Sequence, residues 1–212
     1  MKESTAPQGA RKRISADERR RLLVAAALRV MRRDGVAAAT TRAICAEASM
    51  PHGAFHYCFH TKKDLYAALL ATEVEIDLEP MWADASPSAT PAENITTLLL
   101  AYWAAIEAEP DAQLVLYELA DLSLRDPDLH DLAEWEERAG IDKATEAVAR
   151  LAAEGGFTLR LSDRAVAELV VSMLDGVARA WLRHRDNDRA RTALTDFAGL
   201  LAAQTTPTKD TP

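Results

Sequence analysis

The amino-acid sequence predicts an all-α protein of nine helices, with an N-terminal tri-helical unit that contains a helix-turn-helix and a C-terminal helical domain. The 212 residues are rich in Ala, Leu, Arg and Glu, which lose little side-chain freedom in a helix, and only 6% are aromatic. Apolar residues recur at intervals of three and four along most of the chain. Pro, Gly or a capping Ser, Thr or Asp separates these segments, and no segment alternates as a strand does.

The first 13 residues lack apolar periodicity and end on the basic triplet Arg11–Arg13, which predicts a flexible basic arm. Ser15–Glu18 then has the sequence of a capping box. It begins a helix whose apolar stripe extends through Leu22–Met31, opposite a face of arginines. Asp34–Gly35 carries the signal that ends this helix.

Two short helices follow the first one. Thr40 is a plausible cap for Thr41–Ala48, and Ser49–Pro51 separates this helix from the next, which Pro51 begins and which extends to about Phe59. Helices this short need a packing partner, and on the first helix they form a helix-turn-helix. In such a unit the second short helix can enter the major groove of DNA.

The rest of the chain repeats the same helix signals. Thr61–Asp64 is a second capping box and begins a connecting helix that Pro80 ends. Five more helices extend from Thr90 to Glu109, from Asp111 to Asp126, from Asp128 to Gly155, from Ser162 to about Arg185 and from Asp188 to about Ala203. The Thr- and Pro-rich residues from Thr205 predict a flexible tail.

The net charge of −8 conceals an uneven distribution. Residues 1–66 hold 13 of the 25 Lys and Arg and 6 of the 33 Asp and Glu, a net charge of +7, which leaves −15 for the remaining residues. A basic N-terminal region on an acidic body indicates a polyanionic partner for that region alone.

Residues 40–65, TTRAICAEASMPHGAFHYCFHTKKDL, resemble the DNA-binding signature of the TetR family of transcriptional regulators. The resemblance implies an N-terminal DNA-binding domain followed by a variable helical domain that binds small ligands and dimerises through its last two helices. The sequence departs from the family pattern at Ser49, where Gly is usual, and at Pro51, where a capping Ser or Thr is common. His56 and Cys58 stand where Tyr is frequent.

The resemblance also implies the residues that contact DNA, which are Thr41, Arg42, His52, Gly53, His56, Tyr57 and Lys62. Thr41 and Arg42 would lie against the DNA backbone, and Lys62 would meet a phosphate. His52 and Tyr57 would face the groove, and Gly53 would permit close approach.

Other basic residues have alternative interpretations. We interpret Arg29, Arg32 and Arg33 as the solvated face of the first helix. For Arg11–Arg13 two interpretations stay open: the arm follows the minor groove or the phosphates of DNA, or it only makes the chain more soluble.

Cysteine and histidine residues cluster in the same region, at Cys45, His52, His56, Cys58 and His60. These are zinc-ligand types, but Cys45 and Cys58 occupy small or aromatic positions of the motif, and a free Cys commonly behaves as a small hydrophobic residue. We therefore predict no metal and no cofactor. Nothing in the sequence indicates a stabilised thiolate that would make Cys58 an oxidation sensor.

The C-terminal helices supply candidates for a ligand pocket and a dimer interface. The predicted ligand-binding residues are Trp103, Tyr117, Glu118, Trp135, Met173, Asp175 and Trp181. The predicted dimerisation residues are Val170, Leu174, Ala178, Phe197, Leu200 and Leu201. The predicted organisation is an arm at 1–13, a DNA-binding domain at 14–60, a connecting helix at 61–80, a ligand-binding and dimerisation domain at 81–204 and a tail at 205–212.

These observations predict a homodimeric, sequence-specific regulator, by family habit a repressor, which a small-molecule ligand releases from a palindromic operator. No apolar run is long enough to span a membrane and no secretory signal is recognisable, so we expect a cytoplasmic protein. The main alternative is an all-helical small-molecule-binding protein or enzyme whose basic end binds an anion. No phosphate loop, paired carboxylates or nucleophile elbow supports an enzyme. A nonspecific architectural DNA-binding protein is a third hypothesis.

Overall fold

The computed structural model describes residues 14–74, 82, 86 and 88–207. In that part of the chain there are nine α-helices: α1 (Ala16–Asp34), α2 (Thr41–Glu47), α3 (Gly53–Cys58), α4 (Lys62–Val74), α5 (Pro91–Ala108), α6 (Pro110–Ser123), α7 (His130–Glu154), α8 (Asp163–His184) and α9 (Asn187–Ala202). Two strands, β1 (Phe157–Leu159) and β2 (Thr205–Pro207), and two 3-10 turns, Val36–Ala38 and Pro127–Leu129, are also present. The predicted all-α class is confirmed. The basic arm at 1–13 and the end of the connecting helix at Pro80 lie outside the described residues.

The chain forms two compact units that divide between Leu65 and Tyr66, inside α4. In the first unit, α2 and α3 pack on α1. The predicted apolar stripe of α1 is buried except for Leu22, which is 39% exposed, and Ile44, Phe55 and Phe59 are buried in the same unit. This burial supports two helices of seven and six residues, which are too short to be stable alone.

The second unit is built from two helix pairs, α5 with α9 and α7 with α8. One core cluster includes Leu99, Val166 and Ala198. Another surrounds Trp103 and Trp181, whose rings meet edge to face at 5.4 Å. Ala167 and Ala198 are completely buried, so these helices approach each other closely.

The capping signals differ in how completely they are realised. At Thr90 the reciprocal hydrogen bonds with Glu93 form, as do those between Thr61 and Asp64. The Ser15 hydroxyl accepts from the Glu18 amide, but the Glu18 carboxylate forms an ion pair with Arg21 instead of completing the box. Two starts also shift, since α3 begins at Gly53 instead of Pro51 and α7 begins at His130, after a 3-10 turn at Pro127–Leu129.

The two strands correct the prediction that no strand exists. β1 and β2 pair antiparallel, with Phe157 opposite Pro207 and Leu159 opposite Thr205. The sequence assigned residues 205–207 to the flexible tail, whereas here they are held by the pairing. Strands of three residues are too short for an alternating pattern to be recognised in the sequence.

No helix in the described ranges is both long and apolar enough to cross a membrane.

Candidate functional site

A strained turn connects α2 to α3. Ser49 has φ +54°, in the left-handed region that glycine adopts without cost. The carbonyl oxygen of Cys45 accepts from the Met50 amide at 2.8 Å, and the Cys45 thiol donates to the His52 carbonyl at 3.6 Å. The turn therefore fixes the orientation of α3 relative to α2.

The predicted DNA contacts all lie in the first unit or at its edge, and most are exposed. Tyr57 is 67% exposed, and Arg42, His52, Gly53, His56 and Lys62 are also exposed, whereas Thr41 is half-buried. Thr41 Oγ1 and His52 Nε2 share a hydrogen bond of 3.1 Å, which joins α2 to the residue before α3. The His52 and His56 rings meet edge to face at 5.4 Å. A Cβ at Gly53 would touch nothing within 4 Å, so the backbone there is open to a partner.

Two arginines of α1, which sequence reasoning did not single out, support α3. The Arg19 guanidinium lies over the Tyr57 ring, 5.1 Å from its centroid. Arg20 lies over Phe59 at 4.3 Å and donates to the Cys58 carbonyl at 2.9 Å. Arg20 thus satisfies a carbonyl at the end of α3, and Arg19 limits the positions open to Tyr57. Their spacing matched that of an ordinary polar face, so the sequence carried no signal for this role.

Two other basic residues of the unit, Arg29 and Arg33, form ion pairs within it. Glu47 accepts hydrogen bonds from Arg29 at 2.8 Å and from Arg33 at 3.1 Å, and these bonds lower the pKa of Glu47. Arg29 and Arg33 are exposed, as expected for a solvated helix face, but both also pair with Glu47 of α2. Arg42 and Lys62 form no ion pair in the described part of the chain, so their charges are available to an external anion.

The N-terminus of α4 is already occupied by a carboxylate. Asp64 accepts from the backbone amides of His60 at 2.9 Å and Thr61 at 3.0 Å, and these bonds lower its pKa. A phosphate at this position would therefore be met by the Lys62 side chain, because Asp64 already uses two of the amides.

The cysteine and histidine cluster does not form a metal site within the described ranges, where no three His, Cys, Asp or Glu residues are placed to hold an ion. Cys45 is buried and Cys58 is half-buried, both as free thiols.

The second unit contains a cavity of about 430 Å³. It is mostly apolar, and it lies among α5, α6, α7 and α8, with Phe157 and Leu159 of β1 and Leu201 of α9 also in its wall. Its volume is in the range of small-molecule sites. The lining on α7 includes Glu136, Gly140 and Lys143, which follow one another on a single face of that helix.

Two of the seven predicted ligand residues, Tyr117 and Asp175, line this cavity. Trp103 and Trp181 do not, because they pack together in the core, where their Nε1 groups donate to Glu107 at 2.8 Å and to Asn187 at 2.6 Å. Trp135 is 39% exposed, and Trp135, Glu118 and Met173 all lie outside the lining. Helical spacing marked all three tryptophans as apolar, but it does not distinguish a filled core from a cavity wall.

The polar end of the cavity is formed around Tyr117. Its hydroxyl donates to the Asp175 carbonyl at 3.3 Å, and burial together with the charge of Asp175 raises the pKa of Tyr117. The Arg179 guanidinium lies over the Tyr117 ring at 4.0 Å. The same guanidinium is 3.3 Å from the Asp175 carboxylate and 3.6 Å from Asp121.

Glu136 is a lining residue that sequence reasoning missed. Burial raises its pKa, and the nearby carboxylates of Glu137 and Asp175 raise it further. Within the described residues its carboxylate has neither a hydrogen bond nor an ion pair. It stands in the charged segment Glu134–Arg138, which has the pattern of a solvated helix face, so its spacing does not single it out.

The predicted dimerisation residues face mainly inward. Val170, Leu174, Ala178 and Leu201 line the cavity, and Phe197 packs against the core. Only Leu200, at 68% exposure, faces outward. The apolar and small residues of these two helices that are exposed or half-buried and lie outside the cavity lining include Leu169, Met173, Gly176 and Ala180 on α8 and Ala193 and Leu200 on α9. The nearly all-apolar sequence of α8 did not reveal which side faces inward.

Comparison with known proteins adds to this geometry. Residues 23–69 match the family described as bacterial regulatory proteins, tetR family. The chain is 29% identical over 200 residues to the HTH-type nicotine-responsive transcriptional repressor HdnoR of Paenarthrobacter nicotinovorans, a match that covers 89% of this chain and all of that protein.

Two solved structures are similar over nearly the whole chain. The multidrug binding protein EbrR complexed with imidazole is 28% identical, with a TM-score of 0.59 and coverage of 91% of this chain and 96% of that one. A TetR transcription regulator from Haloarcula marismortui is 20% identical, with a TM-score of 0.72 and coverage of 90% and 100%. With the helix-turn-helix of the first unit, these findings show that residues 23–69 form a DNA-binding domain of the tetR family type and that the whole chain is similar to transcriptional regulators.

Proposed function

We propose that the protein is a homodimeric repressor that binds a pseudo-palindromic operator and leaves it when a small molecule enters the cavity of the second unit. The observation that carries this proposal is the cavity itself, because α8 forms its wall with one face and presents a mainly apolar and small-residue face to the outside. A ligand that displaces α8 therefore acts directly on the helix that we expect at the dimer interface.

The DNA contacts proposed are those of the exposed surface on α2, α3 and the start of α4. Arg42 and Lys62 would neutralise phosphates, and Thr41 would contact the backbone beside them. His52, His56 and Tyr57 carry hydrogen-bonding groups that reach base edges or phosphates, while Gly53 allows close approach. Sequence preference would come from the exposed side chains of α3 and affinity from the cations.

The proposed interface is an isologous contact through α8 and α9. Gly176 on α8 and Gly199 on α9 are exposed, and a Cβ at either would touch nothing within 4 Å of the protomer. Glycine inside a helix costs about 0.5–1 kcal/mol of stability relative to alanine. Packing within the protomer does not require glycine at these two positions, so both are consistent with the close approach of a second copy of the chain. Two recognition helices would then lie about one DNA turn, 34–36 Å, apart.

Release of DNA requires a ligand with different affinities for two states of the dimer. A coupling of about 1–3 kcal/mol would weaken operator binding roughly 5- to 150-fold. The similarity to a nicotine-responsive repressor and to a multidrug binding protein supports a small, largely apolar ligand.

The experiment is selection of bound sequences from a random DNA pool, followed by titration of the selected site with nicotine as a first probe. We expect a pseudo-palindrome bound by two protomers. Binding without sequence discrimination would contradict the proposal and favour an architectural protein, and an absence of DNA binding would favour the small-molecule-binding alternative.

A further inference from the structure

The cavity contains an ionisable side chain that none of the described residues neutralises. Glu136 lines it from α7, is half-buried, and has no hydrogen-bond or ion-pair partner in the described part of the chain. The charges that raise its pKa are those of Glu137 and Asp175, both negative. A desolvated carboxylate without a partner lowers the stability of the folded protein, so Glu136 at this position has a stability cost.

The same end of the cavity already accommodates a cation. The Arg179 guanidinium lies 4.0 Å from the centroid of the Tyr117 ring and 3.3 Å from the Asp175 carboxylate. This arrangement of an aromatic face beside a carboxylate is the one that attracts organic cations. Glu136 stands near this arrangement, since the Asp175 charge raises its pKa, but it pairs with no cation among the residues that the structure describes.

We propose that the ligand of the cavity is an organic cation, a protonated amine on an apolar body, whose ammonium group binds the Glu136 carboxylate while its body lies on the apolar lining. This inference rests on the proposed function and assigns the chemical class of its effector. The ammonium would satisfy a carboxylate that is otherwise repelled by its neighbours, and the apolar body would fill the space beside Gly140.

An anionic ligand is the opposite possibility, because Lys143 and Arg179 also line the cavity. Arg179 is unsuitable as its anchor, since Asp175 and Asp121 both lie within 4 Å of the guanidinium and neutralise it. Among the described residues, the lining contains three carboxylates, those of Glu109, Glu136 and Asp175, and only these two cations. Charge at the cavity therefore favours a cation.

The test uses three molecules with one apolar body and different heads: 4-phenylbutylamine, 4-phenylbutanol and 4-phenylbutyrate. Calorimetric titration of the full chain at neutral pH should give an affinity order of ammonium, then alcohol, then carboxylate. A charge-assisted hydrogen bond predicts an advantage of about 10- to 100-fold for the amine over the alcohol. Glu136→Gln should remove most of that advantage, with helical circular dichroism verifying that the variant is folded.

Glu137→Gln is the matched control, because it removes the same charge from the adjacent, exposed position outside the lining. It should keep the preference for the amine. Equal affinity for the three heads, a preference for the carboxylate, or an equal loss in both variants would overturn the inference. Release of the selected operator is measured separately: release by all three heads alike would overturn the cation inference but leave the proposed function intact. If none of the three molecules binds the protein or releases it from the operator at millimolar concentration, both the cation inference and the proposed function fail.

Discussion

Ser49 holds the turn between α2 and α3 at φ +54°, a conformation that costs a residue with a Cβ about 1–2 kcal/mol. Its hydroxyl forms no hydrogen bond in the described part of the chain. The family resemblance already marked this position, because glycine is usual there. The sequence thus predicted the place of the strain, although the angle itself had to come from the structure.

We expect Ser49→Gly to stabilise the first unit by about 0.5–1 kcal/mol, because the strain that it relieves exceeds the extra backbone entropy of an unfolded glycine. All four tryptophans lie beyond Leu65, so urea unfolding should be followed by circular dichroism, and tryptophan fluorescence should report the second unit separately. Ala48→Gly, at a neighbouring residue with φ −78°, is the control and should destabilise. A lower urea midpoint for Ser49→Gly would contradict the prediction.

Glu136 predicts a pH dependence of stability. The pKa of Glu136 is raised in the folded protein, so folding favours its protonated form. Protonated Glu136 therefore adds to the stability of the fold below its unfolded pKa, and this stabilisation is lost as the pH rises through its folded pKa. The titratable groups that line the cavity with it are Tyr102, Glu109 and Tyr117, Lys143 on the same helix, and Asp175 and Arg179 on α8, with Glu137 adjacent.

Glu136→Gln should therefore raise the melting temperature of the unliganded protein at pH 7, and the difference from the natural chain should disappear below the pKa of an unfolded Glu, about 4.3. Thermal unfolding at a series of pH values measures this. A melting temperature that falls at pH 7 would mean that Glu136 makes a stabilising contact.

At the scale of elements, capping chemistry was the most reliable sequence signal. Thr90, Thr61 and Ser162 each accept a hydrogen bond three residues on, as their spacing predicts. Local hydrogen bonds of this kind depend on neighbouring residues only. The inward and outward faces of α8 depend on packing against other helices, so the sequence assigned its cavity residues to the dimer interface.

Packing of α7 within the core does not require a glycine at position 140. A Cβ there would touch nothing within 4 Å, so the glycine keeps space open in the cavity wall. Gly140→Ala should stabilise the protein by about 0.5–1 kcal/mol through helix propensity. Gly140→Leu should fill that space and weaken binding of 4-phenylbutylamine at least about tenfold, as measured by calorimetry. Unchanged binding in Gly140→Leu would place the ligand in another part of the cavity.

The uneven charge of the whole molecule predicts salt-sensitive binding. With Arg42 and Lys62 meeting phosphates in each of two protomers, the slope of log K against log salt concentration should be about −4, since each phosphate contributes about −0.9. Arg42→Ala should reduce the slope by about 1.8 because the dimer loses two contacts. Fluorescence anisotropy with the selected operator measures both. Arg160→Ala, an exposed charge in the second unit, should leave the slope unchanged, and an equal effect of both variants would refute the assignment.

Assembly can be tested with the exposed leucines. Leu200→Asp on α9 should convert the dimer to a monomer and weaken operator binding by at least about 100-fold, because one half-site contact is lost. Leu124→Asp is the matched control, since Leu124 is 73% exposed but lies after α6. Light scattering gives the mass of each variant. A Leu200→Asp protein that stays dimeric would exclude α9 from the interface.

The pairing of β1 with β2 has a consequence for biosynthesis. Thr158 and Thr206, which share a 2.8 Å hydrogen bond across the strands, are separated by 48 positions in the chain. Phe157, at the start of β1, forms part of the cavity wall, so that wall is completed only after the nascent chain has emerged from the ribosome beyond Pro207. The first unit, whose contacts are local, is able to fold much earlier in translation. We therefore expect a partly synthesised chain to acquire its helix-turn-helix before it acquires any response to a ligand.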